Sequence, residues 1–208
     1  TLLASDRFCS SKYEETDFDA RSEYKRDIDR IVFCSAFRRL QDKTQVMPMP
    51  QSDFVRSRLT HSIEVASIGR SLGNLVGKFV IEKEKFEEQF ITKDDFGNIV
   101  AAACLAHDIG NPPFGHSGEM AIGKFFDKFF KQNKKIEAKL SPAQKNDFLK
   151  FEGNAQGLRI LTNDHPSKRS GGLRLTYATL GAFSKYPKGS LDTKFNKLGL
   201  KEKDRKSQ

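Results

Sequence analysis

The sequence predicts an all-α fold, and three observations carry that. Apolar residues recur at three-to-four spacing along most of the chain. Sustained period-two alternation, the mark of a half-buried strand, is absent. The breaks between periodic stretches fall at proline, glycine and Ser/Thr positions, where helices stop and start.

Residues 1–22 are polar and irregular. Residues 23–41 read as a first helix, with Ile28, Ile31, Val32 and Ala36 on one side and arginines on the other. Met47-Pro48-Met49-Pro50 cannot continue a helix, so residues 43–53 form a loop. Residues 58–82 form a long helix capped by Ser57 or Thr60. Its expected inward stripe is Val65, Ile68, Leu72, Leu75, Val76 and Phe79. A charged connection over 83–93 leads to a helix over 94–109. There Ile99, Ala102, Ala103 and Ala106 face inward, and the alanines let another helix approach closely. Gly110 and Pro112 end it, which leaves His107 and Asp108 in its last turn. Ser117 is the expected cap of a helix over 118–138. Phe125, Phe126, Phe129 and Phe130 give that helix a broad apolar face, better explained by core packing than by lipid binding. Ser141-Pro142 is a cap followed by a first-turn proline, and the helix it starts runs to about Leu161, interrupted at Gly153 and Gly157. After Gly171-Gly172 a shorter helix spans Leu173–Phe183. The chain beyond Gly189 is polar and Lys-rich. The expected organisation is one incomplete helical domain over 1–190 and a tail over 191–208.

A 37% hydrophobic share suffices for a core if helices dominate, and 30% charged residues point to a well-solvated surface. No apolar run approaches the roughly 20 residues of a membrane-spanning helix. Thr1-Leu2-Leu3-Ala4-Ser5 lacks the basic leader of a signal peptide. Cys9, Cys34 and Cys104 form no CxxC pair, so reduced thiols and a cytoplasmic location are expected. Cys104 lies one turn before His107, where a buried thiol is the simpler reading and a ligand the sharper one. The net charge of +9 favours anionic partners.

The chemistry concentrates in His107-Asp108-Ile109-Gly110-Asn111-Pro112-Pro113-Phe114-Gly115-His116-Ser117-Gly118-Glu119. Two of the chain's four histidines stand there, and a third, His61, lies upstream. His61, His107 and Asp108 offer an N/O donor set for a divalent metal: Mn, Fe, Co, Ni, Zn or Mg. Such an ion polarises a phosphoryl oxygen and lowers the pKa of a coordinated water. His116 and Glu119, three apart at a helix start, share a face. There a carboxylate can hold an imidazole's tautomer while the imidazole moves a proton. Arg58, one turn before His61, is a candidate for bidentate phosphate contact. His165 reads as a loop residue. Each feature alone is weak; their combined spacing is specific.

These residues resemble the HD-domain superfamily of metal phosphohydrolases and, more narrowly, bacterial deoxyguanosine triphosphate triphosphohydrolases. The segments that carry the resemblance are Phe37-Arg38-Arg39-Leu40-Gln41-Asp42-Lys43-Thr44-Gln45-Val46, Arg56 to Ser62, Ala106 to Glu119, Phe151 to Arg159 and Leu173 to Lys188. The resemblance implies an HD helical bundle and hydrolysis of a dNTP, dGTP foremost, to deoxynucleoside and tripolyphosphate by water attack on the alpha phosphorus. It implies His61, His107 and Asp108 as metal ligands, with Mg or Mn the expected ion, and His116 with Glu119 as the acid/base pair. It also implies substrate contacts from Gln45, Arg58, Asn111, Asn154, Lys185 and Tyr186. A homo-oligomer, and a single-stranded DNA or dNTP effector, follow from the same resemblance. The family's last Asp ligand is expected well past residue 208, so the chain reads as the N-terminal portion of a longer enzyme. The alternatives are another HD nucleotidase or phosphodiesterase, which would lack the Gln45 and Phe151–Arg159 segments, and a non-catalytic nucleotide- or nucleic-acid-binding module.

Overall fold

The computed structural model describes residues 3–8, 21–44, 57–85, 91–163, 171–185, 187 and 189–191. Among them there are helices and two isolated bridges, Arg7 with Thr176 and Thr44 with Ser57, and no strand. None of these helices is long and apolar enough to cross a membrane. The chain divides into two compact units, residues 1–119 with 152–185, and residues 120–151 with 186–208.

In the first unit, α1 spans Glu23–Val32, capped by Ser22, whose hydroxyl accepts from the Lys25 amide. The expected single helix over 23–41 breaks at Phe33. Cys34 then starts a new short helix, α2 (Ser35–Arg38), its sulfur accepting from the Phe37 amide, and a 3-10 turn follows over Arg39–Asp42. The break lets Ile31, Phe37 and Leu40 all reach the core, while Val32, expected inward, is exposed.

The long helix α3 (Arg58–Glu84) is capped by Ser57 rather than Thr60. Thr92 and Asp95 form a reciprocal capping box at the start of α4 (Lys93–Ala106). These two helices pack closely, but not through the stripe the sequence suggests. Ile68, Leu72, Leu75, Val76 and Phe79 are all more than half exposed. The buried row on α3 is Arg58, Ser62, Ala66, Gly69, Gly73 and Gly77. A β-carbon at Gly73 would lie 2.8 Å from the Gly97 α-carbon and 2.9 Å from the Phe96 oxygen, so the two backbones are in contact. On α4 the inward set is as expected: Ile99, Ala102, Ala103 and Ala106 are buried. Small residues on both sides permit the approach, and many short-range dispersion contacts replace a few large side chains.

Helix α8 (Gly153–Thr162) is capped by Glu152 and does not continue α7 (Pro142–Leu149); the expected single helix to Leu161 is two. The last helix, α9, starts at Tyr177, four residues later than expected, because Thr176 is its cap. Thr176 is held in turn by buried Asp27 of α1, which accepts from the Thr176 amide (2.9 Å), its hydroxyl (2.6 Å) and Arg7 Nη1 (2.7 Å). The core of this unit joins Ile28, Ile31, Leu40, Ala102, Leu105, Ile109, Leu161 and Leu180.

Helix α5 (Gly115–Gln132) begins in the first unit and passes into the second. It starts before Ser117, which is therefore not its cap: Phe114 and Gly115 both take positive φ and turn the chain into it. It ends at Asn133, and α6 (Lys134–Glu137) follows as a separate short helix. In the second unit Phe126, Phe130 and Phe148 cluster, with 4.6 Å between the rings of Phe126 and Phe148. Phe130 is buried, whereas Phe125 is exposed. Helix α7 there is set by the Ser141/Gln144 capping box and Pro142 at its first turn. Residues 192–208, which include most of the expected tail, lie outside the described residues.

Candidate metal centre and acid/base pair

Close packing of α3 on α4 brings the start of one beside the end of the other. His61 sits in the first turn of α3, and His107 is the residue that closes α4. Their ring centroids are 5.2 Å apart. Asp108 follows in the turn after α4, which ends at Ala106, three residues short of the expected 109, so Asp108 lies outside the helix. One ligand atom each from His61, His107 and Asp108 lie within 4.8 Å of one another, so the three could hold a metal ion. Among the described residues no fourth His, Cys, Asp or Glu joins them.

The surroundings orient these donors. His107 Nδ1 lies 2.7 Å from the Cys104 carbonyl, so it is the protonated nitrogen and Nε2 is left as the metal-facing donor. Cys104 thus contributes its carbonyl; its thiol packs against Gly69, and burial raises the thiol's pKa. Asp108 is buried, with both oxygens engaged. Arg58 Nη1 donates to Oδ2 at 2.8 Å, and Asn111 Nδ2 donates to Oδ1 at 2.6 Å. Arg58 is itself 5% exposed, and its Nε has no hydrogen-bond partner. Read from sequence as substrate contacts, Arg58 and Asn111 are seen to grip Asp108. The turn carrying Asp108 and Asn111 packs tightly on α8: a β-carbon on Gly110 would clash with the Gly157 nitrogen and the Gly153 oxygen.

His116 and Glu119 occupy the first turn of α5. His116 Nδ1 lies 2.6 Å from Glu119 Oε2, and Glu119 Oε1 accepts from the Gly153 amide at 2.8 Å. The first residue of α8 therefore fixes Glu119, and Glu119 fixes the imidazole. The His116 side chain is 96% exposed and that of Glu119 15%, so the pair presents a free Nε2 to solvent.

The remaining expected contacts are dispersed. Asn154 Nδ2 donates to Glu152 Oε1 at the α8 cap, and Lys185 is exposed just after α9. Gln45, Tyr186 and His165 lie outside the described residues. One residue not singled out from sequence reaches the centre: Lys43 Nζ donates to the Asn111 carbonyl at 3.0 Å. It lies in the Phe37–Val46 segment, so the signal was present but unassigned.

The centre is thus a buried carboxylate beside two imidazoles, with the outer nitrogen of His107 and both oxygens of Asp108 fixed by hydrogen bonds. The HD-domain family profile matches residues 58–180, and the chain belongs to that family. Among curated proteins, it is 51% identical over 189 residues to a deoxyguanosinetriphosphate triphosphohydrolase-like protein of Synechocystis, covering 91% of this chain and 42% of that protein. It is 49% identical over 187 residues to a like-named protein of Pseudomonas aeruginosa, covering 90% and 41%. It is 36% identical over 206 residues to the deoxyguanosinetriphosphate triphosphohydrolase of Yersinia pseudotuberculosis, covering 87% and 40%. The chain spans about two-fifths of the length of these relatives.

Proposed function

We propose that the protein is a metal-dependent triphosphohydrolase acting on deoxynucleoside triphosphates, dGTP first among them. It releases the deoxynucleoside and intact tripolyphosphate. The observation that carries this reading is the pairing of a His61/His107/Asp108 donor group with a separate, carboxylate-oriented imidazole at His116. Binding alone would have no use for the second feature.

His61 Nε2 or Nδ1, His107 Nε2 and an Asp108 oxygen would hold the ion, with Mg or Mn the expected metals. A divalent ion there supplies Lewis acidity to phosphoryl oxygens and offsets their charge. Arg58 and Asn111 act through Asp108 by fixing its carboxylate. Arg58, with its Nε unpartnered, stays close enough to the centre to add positive potential. Water attacks the alpha phosphorus, the bond to the deoxyribose oxygen breaks, and the deoxynucleoside leaves carrying a proton. His116 Nε2 is the group assigned to move a proton in this exchange, while Glu119 keeps Nδ1 protonated and stabilises the imidazolium. Gln45, Arg58, Asn111, Asn154, Lys185 and Tyr186 are proposed to contact the nucleotide. A cytoplasmic homo-oligomer, responsive to single-stranded DNA or dNTP, completes the reading.

The test is chromatography of products from the full-length protein given each dNTP with Mg or Mn. Deoxynucleoside plus tripolyphosphate is expected. Monophosphate with pyrophosphate, or diphosphate with phosphate, would assign a different hydrolase. Binding without turnover would assign a nucleotide-binding module.

A further inference from the structure

The charges around Asp108 do not balance. Arg58 and Arg39 both lie near enough to act on Lys43, and Asp108 is the carboxylate that acts on it. Lys43 therefore has two cations and one carboxylate as its charged neighbours. A divalent ion on His61, His107 and Asp108 would add further positive charge beside it. Lys43 is half-buried, where an unmatched charge is poorly screened.

Asp108 does not need Lys43. Its two oxygens are taken by Arg58 and Asn111 at 2.8 and 2.6 Å. Among the described residues the recorded acceptor for Lys43 Nζ is a neutral one, the Asn111 carbonyl. An ammonium has three N–H donors, so two remain. The position is also well defined. The Lys43 carbonyl accepts from the Arg58 amide at 3.0 Å, and Thr44 bridges to Ser57, so the 3-10 segment is stitched to the start of α3. The charge is therefore held beside the candidate metal centre without an anion of its own.

We infer that Lys43 is a polyphosphate-binding residue, its two free N–H groups taking phosphoryl oxygens of a triphosphate chain. The inference rests on the phosphohydrolase reading above and narrows it. A single phosphoryl group carries about two negative charges and a triphosphate chain more, so the triphosphate gains more from a cation held here. Selection for the triphosphate then comes from this charge at the centre, in addition to contacts with the base or sugar.

The experiment uses full-length protein loaded with Mn and freed of excess metal. Binding of inorganic tripolyphosphate and of orthophosphate is titrated for wild type, Lys43→Gln and Lys43→Arg, alongside Mn affinity, thermal midpoint and dNTP kinetics. Gln keeps a donor for the Asn111 carbonyl but removes the charge; Arg keeps the charge. Lys43→Gln is expected to weaken tripolyphosphate by about 10- to 100-fold, as loss of a charge-assisted contact does. Orthophosphate should weaken by less than about 3-fold, Mn affinity should hold, KM should rise with kcat retained, and Arg should restore binding. Unchanged tripolyphosphate affinity in Lys43→Gln overturns the inference, and so does equal weakening of both anions. If wild type turns over dNTPs and Lys43→Gln is unaffected, Lys43 is wrong and the proposed reaction stands. If wild type releases no tripolyphosphate from any dNTP, yet Lys43→Gln loses affinity for it, the reaction is wrong and the anion site stands.

Discussion

Replacing Arg58 by Met tests the buried pair on which Asp108 depends. The Arg58 and Asp108 side chains are 6% and 8% exposed and meet at 2.8 Å. Met keeps much of the stem's volume, so the change removes charge and hydrogen bonds more than packing. It leaves a buried carboxylate without its ion-pair partner, and breaking such a pair from one side costs about 3–5 kcal/mol. The lower end applies here, because Asn111 still donates to Oδ1 and Lys43 stays close. For a chain of this length about 1 kcal/mol moves Tm by roughly 2–4 °C, so the metal-free variant should melt about 6–12 °C below wild type. Asp108→Asn alone strands Arg58 and should also destabilise. Arg58→Met with Asp108→Asn removes both charges, and its loss should fall short of the summed single losses by at least about 2 kcal/mol. Adding divalent metal should narrow the Arg58→Met gap, because the ion restores positive charge at Asp108. The assay is thermal unfolding by circular dichroism with chelator and with Mn. A metal-free Arg58→Met variant within about 2 °C of wild type would refute the argument that this pair is buried and coupled.

Four further outcomes are expected. His116→Ala should leave Tm within about 1 °C, since the side chain is 96% exposed, yet lower kcat by about 10²- to 10⁴-fold; retained turnover would remove His116 from catalysis. Gly73→Ala should destabilise by roughly 1–3 kcal/mol, because the added carbon meets backbone atoms of α4. Gly181→Ala in α9 meets nothing within 4 Å and should stabilise by about 0.5–1 kcal/mol, and equal effects at the two sites would contradict the packing described. In the second unit, side-chain hydrogen bonds from Lys134 and Lys145 pull the Glu137 carboxyl down to about 2. A depressed folded-state pKa means that its stabilising contribution is present above the ordinary value of 4.5 and fades as pH falls towards 2. A carboxyl-carbon NMR titration with a midpoint near 4 would show those contacts absent.

Helix content, and the residues that gather at the centre, were legible in the sequence because they depend on local rules. Ser57 and Ser141 cap helices through contacts three residues away, and Pro142 sets a first turn. The donors His61, His107 and Asp108, and the i, i+3 pair His116 and Glu119, are chemically distinctive whatever the fold around them. Periodicity along α3 was legible too, but not its sense. Two rows run along that helix at nearly the same spacing, one of large apolar residues and one of glycine, serine and alanine. Sequence reasoning turns the larger inward. Which row meets α4 depends on how closely two backbones can approach, a property of both helices together. The glycine row allows contact at Gly97 and Phe96, and the larger row is left facing outward.

The same holds for Arg58. Its spacing from His61 assigns it to the centre but cannot say what it touches. That was decided by the turn after α4, where Asp108 is buried and has to be neutralised by the nearest cation. Helix content, some caps and the types of the candidate donors were thus set by the sequence alone, through interactions spanning a few residues. Helix faces and charge partners were decided by tertiary structure, because burial and proximity exist only once the chain has folded.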